Sequence, residues 1–213
     1  MADLQEPERH CSLCPRLEAF REDNRVKEPS WHNAPVASFG AEDAELLIVG
    51  LAPGLRGANR TGRPFTGDAA GALLYPTLQE FGWASGRYSE DAKDRFHLVG
   101  CRITNAVRCV PPQNRPVGAE IRNCQRFLKS ELAAMPRLRL IVALGTVAHS
   151  AVLSAFEIRK SLFPFKHGAF HQLPDAPLLV DTYHCSRYNV NTRRLTVEMF
   201  RDVFAAAKIY LSK

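Results

Sequence analysis

The chain contains no apolar run close to the 20 or so residues that a bilayer-spanning helix requires, so no segment is a candidate for one. Its first sixteen residues, Met1 to Arg16, are polar and lack the apolar core of a signal peptide. A cytoplasmic protein with no membrane partner is therefore expected. Internal repeats and low-complexity segments are also missing, which argues against a solenoid or a disordered tail. Acidic residues fall short of basic ones, 22 against 28, leaving a net charge of +6. That balance favours a polyanionic partner, because Lys and Arg displace condensed counterions from nucleic acid. In a reducing compartment the six cysteines are not a disulfide framework by default, so a metal is the first explanation to test.

The 213 residues are enough for one substantial core. Residues 1–213 read as a single domain, with 1–40 as a polar extension that carries two of the cysteines. From Glu45 onward, short apolar runs alternate with helical patterns. The runs are Leu46 to Leu51, His97 to Thr104, Leu138 to Leu144 and Leu178 to Tyr183, near-continuous in Leu, Ile and Val as expected of strands covered on both faces. Helices are predicted at about 68–82, 118–134, 145–157 and 192–211, the last with Leu195, Met199, Val203 and Ala206 on one stripe. Strands alternating with helices imply a three-layer α/β/α fold around a four-stranded parallel sheet. Such sheets bind ligands beyond the carboxyl ends of their strands.

The first strand end, Gly50-Leu51-Ala52-Pro53-Gly54, leads into a loop from Leu55 to Asp68. This loop holds three arginines (Arg56, Arg60, Arg63) and three glycines, and closes with Phe65 and Asp68. Arginines suit phosphates, and glycines let backbone approach a ligand. The loop also reads as a mobile surface segment, with Asp68 as a helix N-cap. The second strand ends near Asn105, whose amide could read a pyrimidine edge or serve a turn. The fourth ends at His184, followed by Cys185, Arg187, Asn189 and Asn191. His184 could be an acid, a base or a hydrogen-bond donor. Cys185 could in principle be a nucleophile. Together these polar strand ends form one constellation on a shared rim.

Cys11 and Cys14 form a Cys-x-x-Cys pair, and 14 residues separate Cys109 from Cys124. A close pair with a distant pair can close a tetrahedral thiolate site, and spacing leaves zinc and an iron–sulfur cluster both open. Unrelated buried thiols are the alternative. Cys101 lies within a strand and reads as core.

These residues resemble the family 5 (type B) uracil-DNA glycosylases. Gly50-Leu51-Ala52-Pro53, Gly57-Ala58-Asn59-Arg60-Thr61-Gly62-Arg63 and Phe65-Thr66-Gly67-Asp68 resemble that family's first motif. His184 to Leu195, with Asn-Val-Asn-Thr intact, resembles its second. The resemblance runs from Cys11 to the last helix and implies a base-excision glycosylase that cuts the N-glycosidic bond of uracil, and of other deaminated bases such as hypoxanthine and xanthine. It implies that Phe65 stacks on the extruded base, Asn105 bonds its Watson–Crick edge, and His184 donates to O2. Asp68 would orient water or stabilise the sugar cation, with Gly50 to Pro53 lining the pocket. Arg56, Arg60, Arg63, Arg187, Asn189 and Asn191 would contact DNA. Cys11, Cys14, Cys109 and Cys124 would hold a [4Fe–4S] cluster, with zinc as the alternative. A monomer is expected. Cys185 and Arg187 stand where the family commonly has Pro, and Leu51 where family 4 has Glu. Rival readings are a lesion-binding module without catalysis, and a redox protein using the cluster.

Overall fold

The computed structural model describes residues 3–213. In chain order its elements are α1 (Pro15–Lys27), β1 (Leu46–Gly50), α2 (Ala58–Thr61), α3 (Ala69–Glu80), β2 (Ala84–Ser85), β3 (His97–Leu98), β4 (Cys101–Asn105) and α4 (Gly118–Ala134). There follow β5 (Leu140–Leu144), α5 (Thr146–Ala155), β6 (Phe170–His171), β7 (Leu178–Thr182), α6 (Arg187–Asn191) and α7 (Val197–Leu211). The main sheet has the order β4-β1-β5-β7-β6. Its first four strands run parallel, as expected. The fifth, β6, is a two-residue antiparallel edge that sequence reading did not anticipate.

The apolar runs face both ways because strand side chains alternate. Leu46 and Ile48 of β1, with Val142 and Val180, pack against Leu74 and Leu78 of α3 and Phe200 and Phe204 of α7. Leu47 and Val49, with Ile141 and Leu179, face Leu128 of α4 and Ala148 and Val152 of α5. Every residue of β1, β4, β5 and β7 is buried, so these strands form a dry platform.

Two predicted boundaries move. The run from His97 to Thr104 is divided at Gly100, whose φ of +59° turns the chain: His97–Leu98 pairs with Ala84–Ser85 in a separate hairpin, and β4 starts at Cys101. The last helix starts later than predicted, at Val197 rather than about 192, and a separate short helix, α6, precedes it. Ser186 accepts from the Asn189 amide to cap α6, Arg193 turns at φ +56°, and Thr196 accepts from the Met199 amide to start α7. The Asn-Val-Asn segment thus sits on its own short turn at the rim.

Two buried polar groups tie loops to this platform. Asp181 of β7 accepts from His149 Nδ1 (2.7 Å), His171 Nε2 (2.8 Å) and the Lys166 amide (3.2 Å), anchoring the segment that carries Phe165. Glu131 of α4 is fully buried between Arg102 and Arg108. Burial acts to raise its carboxyl pKa, but the two guanidinium groups outweigh that and hold it below the usual range.

Candidate active site

The register pairs Gly50 with Asn105 and Leu144 with Thr182, so four parallel strands finish on one edge. A cavity of about 840 Å³ opens there. Leu51 to Gly54, Asn105, Gly145 and His184 line it, joined by Phe65 and Asp68 from the loop after β1. The four side chains marked out by the sequence, Phe65, Asp68, Asn105 and His184, therefore share a single cavity.

Each is placed by a local reason. A Cβ on Gly50 would lie 2.4 Å from Asn105 Oδ1 and 2.6 Å from Phe65 Cζ, so only glycine lets both side chains reach the strand end. Phe65 holds φ +52°, a left-handed conformation that costs a non-glycine residue about 1–3 kcal/mol and persists where the surroundings enforce it. Its ring lies 6.0 Å from that of His184, with 29° between their planes. Asp68 is indeed the N-cap of α3: one carboxylate oxygen accepts from the amides of Ala70 and Gly71, both at 3.1 Å. Its other oxygen occupies space left by Gly57, where a Cβ would lie 2.4 Å away. The cap and a role in the cavity are compatible, because they use different oxygens.

His184 lies two residues beyond the end of β7 and is fixed by Asn189, whose side-chain amide nitrogen donates to the His184 carbonyl at 2.8 Å. Burial lowers the imidazole pKa to about 4, so the ring is neutral at physiological pH. Its Nδ1 is buried with no partner among the described residues. A buried polar atom without a partner is costly in a packed core and common at a binding site. Cys185, by contrast, is fully buried in the main core. Burial pushes its thiol pKa well above the ordinary value, which rules out a thiolate nucleophile.

The cationic rim differs in part from the sequence reading. Arg56 and Arg187 are exposed and line the cavity, and Arg60 is exposed beside them with its Nε donating to the Arg56 carbonyl. Arg63 does not belong with them. It is 5% exposed and forms two hydrogen bonds to Asp94 (2.6 and 2.9 Å), with its guanidinium carbon 5.2–5.8 Å from the ring centres of Phe39, Tyr75, Tyr88 and Phe96. It cannot reach a phosphate, because aromatic rings and a carboxylate already enclose the charge. Asn189 lines the cavity but uses its amide on His184. Asn191 is exposed at the end of α6, outside the lining.

Phe165, Tyr183 and Tyr188 also line the cavity, and sequence reading missed them; Arg194, legible in the sequence as added charge near Arg187, lines it as well. Arg194 stacks over Tyr183 at 4.7 Å, and Tyr188 is 72% exposed beside the mouth. Tyr183 was recoverable as the residue after a strand end. Phe165 was not, since the Asp181 anchor that places it is a tertiary contact.

On the flank of the molecule Cys11, Cys14, Cys109 and Cys124 surround a small enclosed space with Leu17, Val107 and Phe127. Donors converge on the sulfurs. Buried Arg21 approaches Cys109 Sγ at 3.0 Å, the Arg108 amide reaches Cys124 Sγ at 3.2 Å, and Asn123 reaches Cys14 Sγ at 3.7 Å. Burial raises the pKa of Cys124 to about 11 and of Cys109 to about 12. Arg21 Nε has no partner among the described residues. A buried cation and amide donors aimed at three of the four sulfurs fit an anionic thiolate-bound group. All six cysteines are free of disulfides.

Among the described residues no helix is long and apolar enough to cross a membrane. The model of the Uracil DNA glycosylase superfamily matches residues 37–208. The chain is 49% identical over 204 residues to a type-5 uracil-DNA glycosylase of Thermus thermophilus, an alignment covering 93% of this chain and 92% of that protein. It is 42% identical over 207 residues to a type-5 uracil-DNA glycosylase of Mycobacterium leprae (93% and 90% covered). Against a type-4 uracil-DNA glycosylase of Archaeoglobus fulgidus the identity is 36% over 124 residues, covering 58% and 54%.

Proposed function

Because the chain belongs to the uracil-DNA glycosylase superfamily, and within it to the type 5 glycosylases, we propose that it excises uracil from DNA by hydrolysing the N-glycosidic bond and leaving an abasic site. The observation that carries this reading is the meeting of Phe65, Asp68, Asn105 and His184 in one cavity at the strand ends.

A base inside a duplex is out of reach and must be flipped out, at a cost of about a few kcal/mol. Stacking on the Phe65 ring offsets that cost by roughly 1–3 kcal/mol. Asn105 offers a donor and an acceptor to the Watson–Crick edge. As the bond breaks, negative charge gathers on the departing base and positive charge on the sugar. The neutral His184 ring donates a hydrogen bond to O2, where such a donor is worth about 2.7–4 kcal/mol. Asp68 is the one carboxylate in the first motif and holds the attacking water or steadies the sugar cation. The neighbouring Leu51 and Ala52 are apolar and cannot take its place. Arg56, Arg60 and Arg187 hold the phosphates of the flanking backbone.

The cavity is larger than uracil needs, which supports a range extending to hypoxanthine and xanthine. Cys11, Cys14, Cys109 and Cys124 hold a [4Fe–4S] cluster, which supplies a structural staple rather than chemistry at the base. A zinc tetrahedron would need sulfurs about 3.8 Å apart, given Zn–S bonds near 2.3 Å. Among the described residues no three of these sulfurs lie within 4.8 Å of one another, which favours the larger group. One copy carries every residue in this scheme, so the chain acts as a monomeric single unit on cytoplasmic DNA.

The test is incubation with duplexes carrying one uracil, hypoxanthine or xanthine, followed by alkali. Strand scission at uracil is expected. Binding without scission at any of the three would leave the lesion-binding reading in place.

A further inference from the structure

Phe65 adopts a backbone conformation it would not choose alone, and the loop around it is held from behind by groups outside the cavity. Tyr75 donates its hydroxyl to the Pro64 carbonyl. Tyr88 donates to the Phe65 carbonyl at 3.3 Å and accepts from the Gly67 amide at 3.4 Å. Arg63 Nε donates to Thr66 Oγ1 at 2.8 Å, and Thr66 Oγ1 donates to the Pro64 carbonyl at 3.1 Å. Asp94 grips Arg63 with both oxygens and is itself fixed by the amides of Ser89 (3.0 Å) and Phe96 (3.1 Å). Gly71 seals the arrangement, since a Cβ there would fall 1.7 Å from the Phe65 carbonyl oxygen.

From this geometry we infer that Tyr88 and Asp94, contributed by the segment between β2 and β3, are positioning residues that lock Phe65 in its strained conformation and so preset the stacking face of the cavity. The inference rests on the glycosylase reading for its consequence, but the lock itself stands on the protein alone.

A left-handed phenylalanine relaxes unless its neighbours over-determine it. Here the same tyrosine hydroxyl holds the Phe65 carbonyl and, one peptide further on, the Gly67 amide. Burial raises the pKa of Tyr88 to about 12, and Arg63 holds Asp94 ionised down to about 2. The lock is therefore insensitive to pH across the working range. It also explains why Arg63 lies within the DNA-facing loop yet turns away from DNA: its charge fastens the loop to the hairpin behind it. Presetting the ring lowers the ordering cost of binding a flipped base.

Tyr88→Phe is the sharpest variant, because it keeps the ring packing and removes only the hydroxyl. Two readouts are needed. In the free protein, amide hydrogen exchange at Phe65 to Gly67 should accelerate about tenfold, the scale expected from losing one hydrogen bond; unchanged exchange would overturn the lock. In single-turnover cleavage of a uracil duplex, Tyr88→Phe should weaken apparent substrate binding by about three- to tenfold, with little change in the maximal rate. The same substitution made in Phe65→Ala should have no further effect, since the ring it positions is gone. A loss of equal size in both backgrounds would overturn the role through Phe65. If the unaltered protein releases no uracil, the glycosylase reading fails, while the exchange measurement still decides whether the lock exists.

Discussion

The cavity at the strand ends and the cysteine corner on the flank treat buried polar groups in opposite ways. In the cavity, His184 Nδ1 is left without a partner among the described residues, Phe65 is held in a strained conformation, and Gly50 and Gly57 give up side chains to leave room. In the corner, donors are aimed inward: Arg21, Asn123 and the Arg108 amide all point at sulfur. The corner is also tied to the sheet by Glu131, which lies on the helix that carries Cys124 and pairs with Arg102 of β4 as well as with Arg108. The first region gives up stability to keep groups available for a ligand, and the second uses its groups on holding the fold. Substitutions should therefore separate activity from stability cleanly between the two.

The largest expected effect is at Asp68. Asn caps a helix as well as Asp does, so Asp68→Asn should leave the fold and DNA binding intact while single-turnover cleavage falls by about 10²–10⁴-fold. Wild-type turnover in that variant would remove Asp68 from the mechanism. His184→Ala should slow the same step by about 10²–10³-fold, the range for losing one such donor. Its melting temperature should hold or rise, since a buried nitrogen without a partner is removed. A large drop in thermal stability together with an unchanged rate would invert the comparison at this residue.

The corner should respond the other way. On the proposed [4Fe–4S] reading the purified protein is brown, and Cys124→Ser is expected to bleach that colour and to destabilise the fold, a loss of about 3 kcal/mol lowering Tm by roughly 6–12 °C in a chain of this size. The protein that remains folded should cleave at nearly the parent rate; a collapse of single-turnover rate at full fold would give the cluster a part in chemistry. The smallest effect is a pH slope. In the unfolded chain His184 takes up a proton near its ordinary value of 6.5, whereas in the folded chain burial delays this to about 4. Between those values the unfolded state binds more protons, so stability falls as pH drops from 6.5 towards 4 and is unaffected by this group above 6.5. Tm followed against pH should show that slope, and His184→Gln should flatten it.

The legible parts of the molecule are those set by local pattern. The four parallel strands announce themselves as apolar runs, and their carboxyl ends locate Asn105 and His184 from the sequence alone. Asp68 can be placed as a helix cap by its position before Ala69. What sequence reading lost depends on contacts across the fold. Arg63 looks like the other two loop arginines, and only the approach of Asp94, 31 residues away, turns it inward. Phe165 is placed by Asp181 through a buried hydrogen-bond network that no spacing reveals. The two-residue strand β6 is too short to leave a periodic signal. The last helix was read as starting too early because Asn191 and Thr192 are plausible caps in sequence, whereas Thr196 is the residue whose side chain accepts the α7 amide bond.

The central claim is that one preset cavity receives a base rotated out of the duplex. It is tested most directly with a duplex carrying 2′-fluoro-deoxyuridine, which resists cleavage, beside a 2-aminopurine whose fluorescence rises when its neighbour leaves the stack. Mixing with the protein should raise that fluorescence, and the rise should be largely lost in the Phe65→Ala, Asn105→Ala double variant although the duplex still binds. An undiminished rise in the double variant would mean the base is received elsewhere, and the cavity described here would not be the active site.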